Sequence, residues 1–428
     1  MAAFAGWQID IIDGTGATDI TSFVQGFNIT CKANIGEFSL TNVVLTLNNN
    51  EGDFTPSEGG GTGTYASINW LTKAIRIAPS ADTSRFTAHV FVSDFKMRDN
   101  GTDSSVDLTC RDWMSLASSE QFDITESTTT RDYAQFVENV ILGVYGPGVT
   151  LPDYGVPGIT RSATITDSSD PVADQLARPA ATNVTSLDYI NQAMFGGYPS
   201  VIIPTNVSIS VSPPLVTYEA TALNRTLTYS NTYRNPFAFS DSPTGTTLAF
   251  AQLDPGFEFD EITSTATITS GITGVTSQTS TNTDTGNSYG TRARFYGSTG
   301  NNNETDTGND AGALEAAEFW TKRQGNARYI PRRLTTSIEL IDDRNGASAA
   351  TTLIDLMAAV DGLFQPCDIT YTPTGGSQVT ANCVISGRNI QAVPGRTTIT
   401  LDLLPAQDYQ SFVLNSDTLG VLNTNRLG

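Results

Sequence analysis

From Trp7 to about Arg111 apolar and polar residues alternate, with polar turns between the runs. The alternation is clearest in Phe86-Thr-Ala-His-Val-Phe-Val-Ser-Asp-Phe-Lys-Met97, where one side is apolar and the other mixed. That period of two predicts a half-buried antiparallel sheet. Asp99-Asn-Gly101 carries residues that tolerate positive φ, so it is expected to close a hairpin onto Ser104–Arg111. Gly59-Gly-Gly-Thr-Gly-Thr64 reads as a flexible loop between strands.

The period then changes. Arg131 to Leu142 places Tyr133, Phe136, Val137, Val140 and Ile141 at helical spacing, and Gly143 follows as a stop. Val184 to Phe195 repeats the pattern, with Thr185 or Ser186 as N-cap and Gly196-Gly197 as terminator. Tyr218 to Tyr289 reads as strands and Thr-rich turns, and Gly297 to Gly308 as an exposed polar loop. Asp310 is expected to cap a helix over Ala311–Arg323, with Leu314, Ala317, Phe319 and Trp320 turned to a core and Lys322 and Arg323 at its C-terminal dipole. The last region predicts a strand (Ser337–Ile341), a short helix (Ala349–Val360) and three strands (Cys367–Thr372, Val379–Gly387, Arg396–Leu404), comparable in size to the first sheet.

Composition narrows the function classes. The chain has 428 residues, enough for several domains, and 44 acidic against 23 basic residues give a net charge of −21. Such a surface repels nucleic acid and anionic lipid, so neither stable nucleic-acid binding nor a membrane-surface role is expected. No apolar run approaches the roughly 18–20 residues that span a bilayer, and Met1-Ala-Ala-Phe-Ala-Gly-Trp7 has no basic region or continuous apolar core, so neither a membrane span nor a secretory signal is expected. Cys31, Cys110, Cys367 and Cys383 fall two in each outer region without CxxC spacing, and read as buried thiols rather than one disulfide in each region.

Catalytic and metal patterns do not assemble. The single histidine, His89, has no second histidine for HExxH and no GxSxG elbow beside it, so it reads as a strand histidine with a surface or interface hydrogen bond. Gly59–Thr64 lacks the lysine of a phosphate-binding loop. Asp306-Thr-Gly-Asn-Asp310 departs from the EF-hand order and reads as loop plus helix cap. No catalytic, cofactor-binding or metal-binding residue is assigned, no cofactor is expected, and the chain is not expected to be an enzyme.

Several segments, in order, resemble a tail-hub protein of long-tailed bacteriophages. They are the strand Trp7-Gln-Ile-Asp-Ile-Ile12, then Ile20-Thr-Ser-Phe-Val24, and a strand ending in the turn Leu45-Thr-Leu-Asn-Asn-Asn-Glu-Gly-Asp-Phe-Thr-Pro56. Next come Ile75-Arg-Ile77, Phe86 to Met97, and Val106 to Ala117, a strand leading to a short helix. Tyr289-Gly290, Ala313 to Gln324 and Ser337 to Ile341 resemble a later module that leads back into a second barrel, and the run from Phe412 to Gly428 resembles the family's C-terminal end. The resemblance is weakest over 147–190 and 267–286.

That resemblance implies a mainly β fold with an α+β insert, in which two tube-like antiparallel barrels or sandwiches flank a middle region with helices. The implied divisions are 1–118 (first barrel), 119–216 (small α+β domain), 217–328 (β-rich middle domain with the long loop and helix 311–323), 329–410 (second barrel) and 411–428 (docking tail). It also implies a homotrimeric hub in which six barrel domains match a six-fold tube. Partners would be further copies of the chain, the distal tail ring or tube protein, the tape measure protein, and fibre or tip proteins. The implied location is the virion tail tip, after synthesis in the host cytoplasm. Arg323, Arg328, Arg332, Arg333 and Arg344 are expected to pair with acidic neighbours or adjoining subunits rather than grip DNA in the channel. The alternatives are a distal ring or fibre subunit, or a secreted β-rich adhesin or polysaccharide-active protein.

Overall fold

The computed structural model describes residues 6–405 except 14–15, 33–39, 102, 113–114, 116–120, 126, 132, 143–159, 168–175, 179–180, 197–200, 212–213, 224–236, 258–261, 271–272, 297–309, 324, 326–328 and 359–365. The short helix expected after Arg111, the polar loop 297–308 and the tail 411–428 fall wholly or mostly outside these residues.

The fold is mainly β. Strands Trp7–Asp13, Val24–Lys32, Leu40–Asn48, Ala74–Pro79, Ala88–Asp99 and Ser104–Arg111 form where the two-residue alternation predicts them. Asp99 Oδ1 accepts from the Gly101 amide at 2.8 Å and closes the expected hairpin. At the other end of the chain Tyr329–Ser337, Pro366–Tyr371, Val379–Val393 and Arg396–Pro405 pair antiparallel. Phe237–Ser240 lies parallel to Pro366–Tyr371, and Gln252–Phe257 pairs antiparallel with Tyr329–Ser337. The stretch 217–328 therefore supplies strands to the C-terminal half.

These two halves share one 14-stranded sheet. The joint is the pairing of Val379–Val393 with Val24–Lys32, in register from Gly387 opposite Lys32 to Ala392 opposite Phe27. Across it Thr336, Ile399, Ile390, Ile29, Val43, Cys110 and Val92 stand side by side on successive strands, each at most 3% exposed. One cluster of buried side chains runs through both halves. Further ties cross between them: Trp7 Nε1 donates to Thr397 Oγ1 at 3.2 Å, Thr87 Oγ1 donates to the Met357 carbonyl at 2.8 Å, and Arg85 pairs with Asp355.

Two helices, Ile338–Asn345 and Ala350–Met357, press Ile341, Leu353, Leu356 and Met357 into that core. The expected strand Ser337–Ile341 is thus corrected: the strand ends at Ser337, whose Oγ accepts from the Leu340 amide at 3.1 Å and starts a helix. A serine N-cap satisfies an otherwise orphaned amide, which decides a short apolar run of ambiguous period.

The helices Tyr133–Ile141 and Ser186–Gly196 form as expected, and Thr185 is the cap of the second, its Oγ1 accepting from the Asp188 amide at 3.0 Å. Beside them a three-stranded sheet orders Thr160–Asp167, Pro214–Leu223 and Val201–Val211. A second small sheet, Gln278–Thr281, Thr265–Ile268 and Ala293–Tyr296, is covered by the helix Asp310–Arg323. That helix packs Ala313, Ala316, Ala317 and Trp320 against Ala266 and Ile268, whereas Leu314 is 37% exposed and not in the core as expected. Small alanines let helix and sheet approach closely, which leaves the larger leucine on the flank.

The loop Gly59–Thr64 is flanked by a packed aromatic cluster. Phe54 stacks on Tyr65 at 4.9 Å between centroids, with Phe23 edge-on to both and Trp70 beside them. A Cβ on Gly61 would lie 1.9 Å from the Thr55 carbonyl oxygen, and one on Gly63 2.4 Å from the Asp53 Cα. At Gly61 and Gly63 the backbone passes too close for any side chain.

Candidate interface across the joined sheet

Alternation that buries one face of a strand presents the other to solvent. Across the joint between the halves this outer face forms two neighbouring rows of side chains. In one, Gln252, Thr335, Thr400, Asn389, Thr30, Asn42 and Arg111 stand on successive strands. In the other, Ser337, Thr398, Gln391, Asn28, Val44, Thr109 and Asp94 do the same. Asn28, Thr30, Asn42, Val44 and Gln391 are exposed. The helices Ile338–Asn345 and Ala350–Met357 send their buried residues to the core, behind the opposite face.

The rows are tied by hydrogen bonds between side chains. Asn389 Nδ2 donates to Thr30 Oγ1 at 3.0 Å across the joint, and the hydroxyls of Thr335 and Thr400 meet at 3.4 Å. Threonine suits both tasks, being β-branched for a strand and able to bond across it.

Charge on this face is sparse: Lys32 is exposed at the end of the joining strand, opposite Gly387. Arg111 and Asp94 end the rows on the N-terminal side. Beyond the rows lie the ion pairs Arg98 Nη2 to Asp107 Oδ2 at 2.6 Å and Arg333 Nε to Asp402 Oδ1 at 3.1 Å. In a chain of net charge −21, the outer face of the strands that join the halves is mostly threonine, asparagine and glutamine, with Lys32 exposed at one end and Val393 at the other. Such a face offers few of the cations that hold phosphate and no dense anionic field.

The residues singled out in the sequence do not converge on this face or on one another. His89 is 7% exposed and lies edge-on to Phe86 with centroids 5.5 Å apart, so it is a core residue and not a surface histidine. It is opposite Arg76, whose Nε donates to the buried Asp10 Oδ2 at 2.9 Å. Asp310 Oδ1 accepts from the Thr276 amide at 2.7 Å, so its carboxylate ties a loop to the start of its helix; residues 306–309 lie outside the described residues. Among the described residues, no group of three or more His, Cys, Asp or Glu side chains gathers as metal ligands would. Of the five arginines, Arg332, Arg333 and Arg344 are exposed, Arg333 pairs with Asp402, and the side chain of Arg323 and all of Arg328 lie outside the described residues. All four cysteines are buried thiols without a disulfide. Among the described residues, no helix is long and apolar enough to cross a membrane.

The rows were not identifiable from one strand at a time. Their signal is the threonine and asparagine content of the polar half of each alternation, visible only once Val379–Val393 is known to pair with Val24–Lys32.

Solved structures share this fold over nearly the whole chain. A tail protein from Neisseria meningitidis superposes with a TM-score of 0.52 at 9% identity, covering 94% of this chain and 98% of that one. The 43 kDa tail protein of prophage MuSo2 from Shewanella oneidensis gives 0.51 at 9% identity, with 94% and 99% covered. No protein-family model matches the chain, and no curated protein matches it in sequence. The fold is therefore that of tail proteins, which agrees with the hub-like order of segments in the sequence.

Proposed function

We propose that this chain is a structural subunit of a phage tail that assembles as a homotrimeric hub at the distal tip, with the joined sheet's sparsely charged polar face lining the channel through which the genome passes. The observation that carries this reading is the open threonine and asparagine face that runs unbroken from one half of the chain to the other. A subunit whose two β halves share one sheet presents two tube-like units held in fixed relation, and three such subunits present six. A channel for duplex DNA needs a wall that does not adhere, because each basic contact to phosphate adds salt-sensitive binding.

The same reading gives the acidic remainder of the surface a role in solubility and in pairing with neighbouring tail components. Partners would be the tail tube or distal ring protein on one side and fibre or tip proteins on the other, with the tape measure protein in the lumen. A structural rather than catalytic role is part of the proposal. Negative-stain images of the purified chain test it: three-fold rings with a central hole are expected, and six-fold rings or elongated fibres would reject it.

A further inference from the structure

Only one pair among the four cysteines is placed to react with itself. Cys367 and Cys383 stand directly opposite each other in the antiparallel pairing of Pro366–Tyr371 with Val379–Val393. Both are 0% exposed and belong to the same core cluster. Directly opposed residues of an antiparallel pair have Cα atoms about 4.5 or 5.5 Å apart, and both spacings fall within the roughly 4.4–6.8 Å that a disulfide spans. Cys31 and Cys110 differ. Strand Leu40–Asn48 runs between them, with Cys31 opposite Thr41 and Cys110 opposite Val43. Two strand spacings of about 4.8 Å each exceed disulfide reach.

The opposed pair lies near the ends of the strand segments that hold it. Cys367 lies beside Phe237, the first residue of its strand, and Cys383 lies opposite Pro405, the last residue of its own. Cys367 itself is second in its strand, after Pro366. Neither Pro366 nor Pro405 has an N–H to donate to the ladder. Both thiols are fully buried in the core cluster, so a reagent reaches them through local opening of this strand pair. Burial pushes the Cys383 thiol up to about 12 and the Cys367 thiol well above its ordinary value, with Asp368 raising both. Thiolate is thus formed chiefly in the opened state.

We propose that Cys367 and Cys383 are an oxidisable pair that closes to an intrachain disulfide when the reduced protein meets a small-molecule disulfide. The Cys383 thiolate attacks one sulfur of the reagent, forms a mixed disulfide and releases one reagent thiolate. Cys367, deprotonated in turn, attacks the Cys383 sulfur and expels the second reagent thiolate. Two protein S–H groups become one S–S bond, the reagent's S–S bond is reduced to two thiols, and the two protons end on those thiols. The new bond ties Pro366–Tyr371 to the strand that joins the halves, and it forms only after the protein leaves a reducing environment.

The folded full-length chain, incubated with excess oxidised glutathione, alkylated and digested, should yield a fragment linked through Cys367 and Cys383, with Cys31 and Cys110 alkylated. The oxidised protein should melt a few degrees higher, and dithiothreitol should reverse the shift. Cys367→Ser or Cys367→Ala should abolish both the link and the shift and leave glutathione on Cys383, whereas Cys31→Ser should change neither. The inference is overturned if all four thiols stay alkylatable in the folded protein under conditions that oxidise the urea-unfolded chain. A link through Cys31 or Cys110 would overturn it equally.

Discussion

Replacing Ile390 by alanine tests whether the two ends of the chain act as one body. Ile390 is 0% exposed and directly opposite Ile29 on one side and Ile399 on the other, both also 0% exposed. The substitution removes three carbons, worth about 2.4 kcal/mol at about 0.8 per buried group. The cavity left between two β-branched neighbours adds to this, and buried isoleucine-to-alanine changes cost about 2–5 kcal/mol. The assay is equilibrium urea unfolding followed by fluorescence of Trp7 and Trp70, both buried in the N-terminal half, in a background with Trp113 and Trp320 replaced by phenylalanine. Although Ile390 belongs to the C-terminal half, the N-terminal reporters should show the full loss in one shifted transition. Val44→Thr, at a position 46% exposed on the strand beyond Val24–Lys32, is the control and should stay within about 0.5 kcal/mol. If the tryptophan transition keeps its midpoint while a second one moves, the halves unfold independently and the reasoning fails.

Gly63→Ala should destabilise the folded chain by about 1–3 kcal/mol, since its Cβ would meet the Asp53 backbone at 2.4 Å with no flexible atom to yield; an unchanged denaturation midpoint would show that the aromatic loop gives way. Stability should decline as pH rises above the ordinary thiol value of 9.0 towards about 12 for Cys383, because the unfolded chain ionises first and its free energy falls relative to the folded one. The slope of midpoint against pH should flatten in Cys383→Ser, and a slope unaffected by that change would contradict the assignment. Asn28→Lys, Thr30→Lys and Asn42→Lys together should create salt-sensitive binding to duplex DNA, each phosphate contact steepening the log–log salt dependence by about 0.9. Fluorescence anisotropy checks this, with the unsubstituted protein expected not to bind at micromolar concentration.

Most strands were legible because their period of two is written into residues such as Val90, Val92 and Ile75, Ile77. The joint was not, although Ile390 and Ala392 continue the alternation past Gly387. Val379–Val393 finds its partner more than three hundred residues away, and register between such distant strands is set by matching buried faces in three dimensions rather than by any local signal. Ser337–Ile341 misled for the opposite reason: too short an apolar run to show a period, it was settled by one serine cap. His89 sat in a strand whose burial pattern was mixed, and its burial followed from packing against Phe86 that sequence alone does not reveal. The candidate face was half legible. Threonine and asparagine marked the outer side of each strand, but their alignment into rows depends on the pairing of the two halves.

The most direct test is a density map of assembled tails at a resolution that places side chains. Three copies per ring are expected, with Asn28, Thr30, Asn42, Asn389 and Gln391 facing the central channel. Those residues facing outward, or packed against another subunit, or a ring with any other copy number, would contradict the account.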